Sequence, residues 1–132
     1  MVISKGHGSI CLYPILADLG FFDRSELDRV CQKGGNLGGI PDPIIPGYET
    51  VNGSLGHGLG VATGIGLAVK SQQKNHCIFV LCGDGELHEG SCWEAIMFAA
   101  AKTIDNLIAI ADLNGTQLDG STDDGLPMGS LK

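Results

Sequence analysis

Two polar segments of this chain have the residue types of a metal and phosphate site. Gly83-Asp84-Gly85 follows the apolar run CIFVLC, and Asn114 stands thirty positions after Asp84, just beyond a second apolar run, LIAIA. A carboxylate and an amide oxygen are hard ligands that suit Mg²⁺ or Ca²⁺, and the backbone carbonyl of Thr116 would add a third. Gly85 carries no side chain, so its N–H can approach a phosphate where a helix is predicted to begin.

These residues can meet only if a parallel sheet positions them. The apolar runs at Cys77–Cys82 and Leu107–Ala111 each predict a strand covered on both faces, and residues 86–102 predict a helix between them. In such a βαβ unit Asp84 and Asn114 fall at the carboxyl ends of the strands, where open α/β sheets bind ligands. The alternative is a GDG hairpin turn with an unrelated asparagine.

The first third of the chain predicts two helices and a loop. Apolar residues recur at helical spacing over His7–Leu19, where Gly20 would end the helix, and Ser25 would cap a short helix that runs to Val30. Residues 34–48 are rich in Gly, Pro and Asn and predict an ordered loop.

A glycine-rich helix is predicted over Leu55–Lys70, with Ser54 as its N-cap. Gly56, Gly60 and Gly64 fall four positions apart on one face of this helix, a spacing that lets a neighbouring backbone approach closely. The neighbour is either another subunit or another element of the same domain.

Composition narrows the class of protein. The chain of 132 residues suits one domain, predicted over residues 1–132, and a net charge of −7 argues against nucleic acid and anionic membranes as partners. The most apolar window, 55–69, is too short to cross a bilayer. Five cysteines without a C-x-x-C pair argue against zinc or a disulfide framework and favour a reducing cytoplasm. The tail 114–132 is polar and rich in turn residues, and no predicted helix closes the last strand. An α/β fold that is incomplete at both ends is expected.

Taken together, the motifs resemble the transketolase family, from Val2 to about Leu126. GDG followed by Asn after thirty residues is similar to the motif with which that family binds thiamine diphosphate through a divalent metal. Residues 4–8, SKGHG, resemble its S-x-G-H-[AG] segment, and residues 53–58, GSLGHG, resemble its G-[PS]-L-G-[QH]-G segment. Residues 117–120, QLDG, resemble the stretch after the metal asparagine in split transketolases.

The resemblance implies a thiamine-diphosphate-binding fold, with a parallel sheet flanked by helices, and a role for each matching residue. The implied metal ligands are Asp84, Asn114 and Thr116. The implied cofactor-binding residues are His7, Gly53, Ser54, Leu55, Gly83, Asp84, Gly85 and Asn114. The implied catalytic residues are His7 and His57. Glu89 and Glu94 match the two glutamates of the GDG-x-x-x-E-G-x-x-x-E pattern. In the family these glutamates lie near the dimer contact and link paired sites.

Four of these side chains also have a plainer interpretation. His7 would then be a water-exposed histidine at the start of a helix, and His57 would make a purely structural hydrogen bond. Glu89 and Glu94 would lie on a solvated helix face.

The chain departs from the family pattern in two ways. The family's G-H-P-[ED] loop reads Gly39-Ile40-Pro41-Asp42 here, so an imidazole that contacts substrate hydroxyls is absent and a deoxy, branched or otherwise modified sugar becomes more credible. The glutamate that the family takes from a pyrimidine-binding domain has no match.

The resemblance therefore implies a transketolase-like transferase subunit that moves a two-carbon ketol unit from a ketose phosphate to an aldehyde. It would be inactive until a pyrimidine-binding subunit joins it in a dimer or heterotetramer. One alternative is a component of a thiamine-diphosphate-dependent 2-oxo-acid decarboxylase or dehydrogenase. The other is a non-catalytic, truncated subunit. A plain nucleotide-binding fold is disfavoured because no G-x-G-x-x-G follows a strand.

Overall fold

A computed structural model of the chain describes residues 1–127 and Gly129. It contains three short 3₁₀ helices, Gly6–Cys11, Arg24–Arg29 and Gly85–His88. Its other elements are β1 (Val2–Ile3), α1 (Leu12–Asp18), α2 (His57–Ser71), β2 (Ile78–Gly83), α3 (Gly90–Ala101), β3 (Leu107–Asp112), β4 (Thr116–Gln117), β5 (Gly120–Ser121) and α4 (Thr122–Gly125). No helix among the described residues is long and apolar enough to cross a membrane.

The central sheet has three parallel strands in the order β1-β2-β3. Strand β2, helix α3 and strand β3 form the βαβ unit that the two apolar runs predict. Gly83 pairs with Asp112 at the ends of β2 and β3, and Ile3 pairs with Leu81 at the end of β1. The loops that follow all three strands therefore leave the same edge of the sheet. Strand β1 was not predicted, because two residues are too few to establish an alternating pattern.

Helices α2 and α3 pack on one face of the sheet and form the main core. The buried residues of this core are Val2, Leu59, Ala62, Val80, Cys82, Leu87, Cys92 and Ala95. On the opposite face Phe79 is 40% exposed, and Ile108 and Ile110 are 40% and 43% exposed. The prediction that both strands are covered on both faces is therefore wrong for the described residues. A continuous apolar run indicates that a strand can be buried on both faces, but no described element covers the face that carries Phe79, Ile108 and Ile110.

A second core orders the loop predicted at residues 34–48. Leu37, Ile45 and Tyr48 from this loop pack against Tyr13 and Leu16 of α1. The Tyr13 hydroxyl donates to the carbonyl of Gly38 at 2.7 Å, so the loop is tied down without helix or strand. The prediction of an ordered loop is confirmed.

Helix α1 is shorter than predicted. Residues Gly6–Cys11 form a 3₁₀ helix, and the α-helix runs only from Leu12 to Asp18 before Gly20 adopts a left-handed φ of +80°. The next 3₁₀ helix is capped by Asp23, whose carboxylate accepts from the Ser25 N–H at 2.8 Å. Ser25 was therefore wrongly predicted as the cap, because Asp two residues upstream offers a charged acceptor.

Helix α2 begins at His57, and its N-cap is Gly56 with a left-handed φ of +79° and no side-chain cap of its own. The prediction of Ser54 as the N-cap is therefore wrong. Gly60 and Gly64 meet nothing within 4 Å of a Cβ built on them. Within the described residues, these two glycines of the predicted stripe thus make no close packing, whereas a Cβ on Gly56 would lie 2.8 Å from the Glu89 Cβ. Instead, Gly58 packs closely on another segment of the chain.

The polar tail contains more structure than the sequence predicts. Strands β4 and β5 pair as an antiparallel hairpin, and α4 follows directly. Part of the predicted tail, Met128 and residues 130–132, lies outside the described residues.

Candidate metal and phosphate site

The segments singled out in the sequence meet at the carboxyl edge of the sheet. Just after β1, the Ser4 N–H donates to the carbonyl of Leu81 at 2.8 Å. Gly6 packs closely on the GSLGHG segment: a Cβ added to Gly6 would lie 3.1 Å from the Gly53 nitrogen. Gly58, in the first turn of α2, would place a Cβ only 2.4 Å from the Ser4 Cβ. The SKGHG and GSLGHG segments are therefore in direct contact.

Asp84 joins the loops that follow β2 and β3. Its side chain is buried, with the residue 4% exposed. Oδ1 accepts from the Gly85 N–H at 2.9 Å, and Oδ2 accepts from the Gly115 N–H at 2.6 Å. Gly115 directly follows Asn114, so two segments that are thirty residues apart in sequence lie side by side. The alternative of an isolated GDG hairpin is excluded, because Gly83 ends a parallel strand.

Asn114 is exposed and makes local hydrogen bonds. Its Oδ1 accepts from the Thr116 N–H at 2.9 Å, and its Nδ2 donates to Asp112 Oδ2 at 3.3 Å. The amide is thereby held at the sheet edge, in the same loop whose Gly115 N–H donates to Asp84. Thr116 begins β4, so the hairpin fixes the position of its backbone.

The donor set at this edge fits a hard divalent cation. A carboxylate has about four lone-pair sites and an amide oxygen has two. The hydrogen bonds of Asp84 use two of its sites, and that of Asn114 uses one, so each oxygen can still accept a metal. The described residues contain no group of three or more His, Cys, Asp or Glu side chains that could hold a metal. The predicted set needs none, because it combines one carboxylate, one amide, one carbonyl and the oxygens of a ligand.

Gly85 differs from its prediction in one respect. It opens the single 3₁₀ turn Gly85–His88, and the α-helix begins only at Gly90. A single turn has little macrodipole, so the expected attraction of a long helix for an anion at Gly85 is wrong. Its need for glycine is steric: a Cβ there would lie 2.8 Å from the Cβ of Gln117 in the hairpin.

Lys5 supplies a positive charge that the sequence reasoning missed. Its ammonium group pairs with the Asp112 carboxylate, and the residue is 9% exposed. The hydrogen bond from Lys5 lowers the pKa of Asp112 below its ordinary value, and nearby His7 contributes to the same shift. The lysine stem lies along Gly8 and Gly83, where added Cβ atoms would lie 3.3 Å and 3.5 Å from its carbons. Its place in SKGHG, one residue before Gly6, is the sequence signal that this lysine lies at the predicted site.

Glu86 is a second residue that the sequence reasoning missed. It is 2% exposed and accepts hydrogen bonds from the Ser4 hydroxyl, the Gly56 N–H at 2.9 Å and the Gly83 N–H at 3.2 Å. It follows the GDG turn directly, where a charged residue is ordinarily solvated, so no local signal distinguishes it.

The two histidines predicted as catalytic are exposed at the same end of the molecule. His7 lies in the first 3₁₀ helix and close enough to Asp112 to affect its pKa. His57 is the first residue of α2, and its Nδ1 lies 3.2 Å from the Leu55 carbonyl oxygen. This contact matches the structural interpretation of His57, and its imidazole remains open to solvent.

The GSLGHG segment presents its first residues to solvent. Gly53 has a φ of +117°, Ser54 is exposed, and Leu55 is 45% exposed although it is apolar. Ile40 is 53% exposed and lies 3.8 Å from the position of a Cβ at Gly53. The residue that replaces the family's histidine is thus next to the predicted cofactor-binding segment.

Glu89 and Glu94 are both exposed around the start of α3. Glu89 is its N-cap residue in an extended conformation, and a Cβ on Gly56 would lie 2.8 Å from the Glu89 Cβ. The same helix exposes a set of large apolar side chains, namely Trp93, Ile96, Met97 and Phe98.

The fold and this edge define a member of the transketolase family. Residues 1–128 match the family model described as "Transketolase, thiamine diphosphate binding domain", so the chain belongs to that family. Among solved structures, the transketolase of Campylobacter jejuni superposes with a TM-score of 0.89 at 33% identity, covering 97% of this chain and 22% of that one.

Two curated relatives are subunits of transketolases. The chain is 40% identical over 131 residues to one subunit of the apulose-4-phosphate transketolase of Phocaeicola vulgatus, covering 99% of this chain and 47% of the relative. It is 40% identical over 133 residues to one subunit of the 6-deoxy-6-sulfo-D-fructose transketolase of a Clostridium species, covering 100% of this chain and 48% of the relative. The chain therefore spans about half the length of these relatives.

Proposed function

We propose that this chain forms a single domain, residues 1–132, that binds thiamine diphosphate and a divalent metal in a transketolase-like transferase. The observation that carries the proposal is the contact between the buried Asp84 carboxylate and the loop of Asn114, made through the Gly115 N–H. In this proposal Asp84, Asn114 and the carbonyl of Thr116 hold Mg²⁺ or Ca²⁺, and the metal holds the diphosphate.

The remaining cofactor contacts follow from the position of each segment. Gly83 and Gly85 would place the backbone of the GDG turn beside the diphosphate, and the Lys5 ammonium, which pairs with Asp112, lies at the same edge. Gly53, Ser54 and the exposed side chain of Leu55 would contact the rings of the cofactor. When bound, thiamine diphosphate supplies an electron sink for breaking and forming carbon–carbon bonds.

The proposed reaction moves a two-carbon ketol unit from a ketose or ketose phosphate to an aldehyde. His7 would orient the substrate or carry a proton, and His57 is a second, weaker candidate because its ring contacts the Leu55 carbonyl. Ile40 offers no hydrogen bond to a sugar hydroxyl, which favours a deoxy, branched or otherwise modified sugar. The names of two relatives, which concern apulose 4-phosphate and 6-deoxy-6-sulfo-D-fructose, support this direction.

A second subunit is part of the proposal. Two relatives are named as subunits of transketolases, which supports a partner subunit. The apolar side chains on α3, with Met97 71% exposed, form a patch that favours burial against a protein. Glu89 and Glu94 flank this patch, so they would lie at the contact in a dimer or heterotetramer. The chain is proposed to be inactive without that partner.

A cytoplasmic location is also proposed. All five cysteines are free, and three of them are exposed, which suits a reducing compartment.

The metal assignment is tested by Asp84→Ala. Titration calorimetry with thiamine diphosphate and Mg²⁺ should detect binding to the wild type, with its partner subunit if required. Asp84→Ala should lose metal-dependent binding while it keeps a cooperative unfolding transition. Asp28→Ala is the matched control, because Asp28 lies exposed in the Arg24–Arg29 helix. Unchanged binding by folded Asp84→Ala would refute the assignment.

The reaction class needs its own assay. With the partner subunit present, turnover of ketose phosphates or modified ketoses supports the transketolase assignment, and turnover of pyruvate supports a 2-oxo-acid enzyme. Cofactor binding without turnover of either class would favour a non-catalytic subunit.

A further inference from the structure

Glu86 is a buried acid whose position the metal site does not explain. Its side chain is 2% exposed, and removing a carboxylate from water is costly unless hydrogen bonds replace the lost hydration. Oε1 accepts from the Ser4 hydroxyl and from the Gly56 N–H at 2.9 Å, and Oε2 accepts from the Gly83 N–H at 3.2 Å. The carboxylate is thus solvated by the protein itself.

The three donors come from three different segments of the chain. Ser4 begins the SKGHG segment after β1, Gly56 lies in the GSLGHG segment before α2, and Gly83 begins the GDG turn after β2. These are the segments for which the family resemblance implies contacts with the cofactor. A single side chain therefore hydrogen-bonds to all of them, across separations of 82 and 30 residues for the first two.

Glu86 also completes the start of helix α2. Gly56 is the N-cap of this helix, and it has no side chain with which to satisfy the free N–H groups of the first turn. The Glu86 carboxylate accepts from the Gly56 N–H and places a negative charge at the positive end of a 15-residue helix. The same charge contributes to the raised pKa values of Cys82 and Cys92, although burial is the larger cause for both.

A carboxylate is the side chain that this position requires. Both oxygens of Glu86 face donors, so glutamine would turn one N–H₂ group toward a backbone N–H or the Ser4 hydroxyl. Alanine would leave the N–H groups of Gly56 and Gly83 buried without these acceptors, which is costly.

We propose that Glu86 is a positioning residue that holds the SKGHG and GSLGHG segments against the GDG turn before the cofactor binds. The Asp84 carboxylate, the His7 imidazole and the exposed Leu55 side chain belong to these three segments, so their relative placement depends on this carboxylate. The inference rests on the proposed function only for the identity of the ligand.

The contacts themselves are tested in the 132-residue chain without any ligand. Amide hydrogen exchange followed by NMR should show that Glu86→Gln lowers protection of the Gly56 and Gly83 N–H groups by about 10- to 100-fold. The core amide of Val80 should keep its protection. Glu49→Gln is the matched control, because it removes the same charge from an exposed loop residue. Unchanged protection at Gly56 and Gly83 would overturn the proposal.

The functional consequence is tested by calorimetry with thiamine diphosphate and Mg²⁺. Glu86→Gln should bind the pair about tenfold more weakly than Glu49→Gln at a temperature where both are fully folded. A purely structural role would lower the unfolding midpoint and leave this affinity unchanged, which would refute positioning. If Glu86→Gln does not fold, Ser4→Ala removes only one of the three hydrogen bonds and should still weaken binding; affinity equal to the wild type would then count against the proposal.

Failure of the proposed function is a separate outcome. If the wild-type chain with its partner binds no thiamine diphosphate, the proposed function is wrong. The exchange experiment still decides whether Glu86 holds the three segments together.

Discussion

Gly58 and Gly60 are two glycines of the same helix for which the structure predicts opposite effects of alanine. An added Cβ at Gly58 would lie 2.4 Å from the Cβ and 2.7 Å from the Cα of Ser4. Ser4 cannot move away cheaply, because its N–H bonds to Leu81 in the sheet and its hydroxyl bonds to Glu86. A Cβ at Gly60 meets nothing within 4 Å.

The magnitudes follow from two opposing effects. Replacing glycine by alanine inside a helix stabilises it by about 1 kcal/mol. Overpacking against a fixed neighbour costs about 1–3 kcal/mol. Gly60→Ala should therefore raise the free energy of unfolding by up to about 1 kcal/mol. Gly58→Ala should fall below Gly60→Ala by about 1–3 kcal/mol, since the helix-propensity gain is common to both.

Urea denaturation of the two variants and the wild type measures this difference. The slope with denaturant should stay constant, so that a shift in midpoint reports stability alone. Gly64→Ala repeats the control, because a Cβ there also meets nothing within 4 Å. If Gly58→Ala is as stable as Gly60→Ala, the close contact between the SKGHG segment and α2 does not exist, and the assembly of the site described above is wrong.

Two further predictions concern charge and thiols. Lys5 lowers the pKa of Asp112, so this pair stabilises the fold above the unfolded pKa of Asp112 and ceases to do so as pH falls through the folded pKa. Asp112→Asn should make the free energy of unfolding less dependent on pH in the acid range, and an unchanged dependence would contradict the pairing. Burial, with Glu86 as a second cause, raises the pKa of Cys82 to about 12 and of Cys92 to about 11. At about pH 8 an alkylating reagent should therefore modify only the three exposed cysteines until the chain is denatured, as counted by mass spectrometry; labelling of a fourth thiol in the native chain would show that this core is open.

The sequence predicts the parts of the fold that depend on local pattern. The strands at Ile78–Gly83 and Leu107–Asp112 and the helix between them follow from apolar runs and a glycine turn, and the structure confirms them within two residues at their starts and ends, except for the start of α3. Helix α3 begins at Gly90 because the residues after the GDG turn first make a separate 3₁₀ turn.

Features that depend on distant partners could not be predicted in this way. The apolar run of β3 looks the same whether a strand is covered or open, so the exposure of Ile108 and Ile110 is a property of the surroundings. The capping of α2 also depends on a distant residue. Gly56 has no side chain, and the acceptor of its N–H, Glu86, stands 30 residues later in the sequence.

The carboxylates at the sheet edge explain why a diphosphate would need a metal ion in order to bind there. Asp84, Glu86 and Asp112 place three carboxylates near a surface that is proposed to bind an anion. Two of them are already satisfied, since Glu86 accepts from a hydroxyl and two backbone N–H groups and Asp112 pairs with Lys5. Asp84 accepts only two backbone N–H groups, keeps free lone pairs and, among the described residues, has no cationic side chain paired with it, so its charge is the one left for a metal ion. A diphosphate would be repelled by this unneutralised acid unless a divalent metal stood between them. Metal and diphosphate are therefore expected to bind together, and each should bind weakly when the other is withheld.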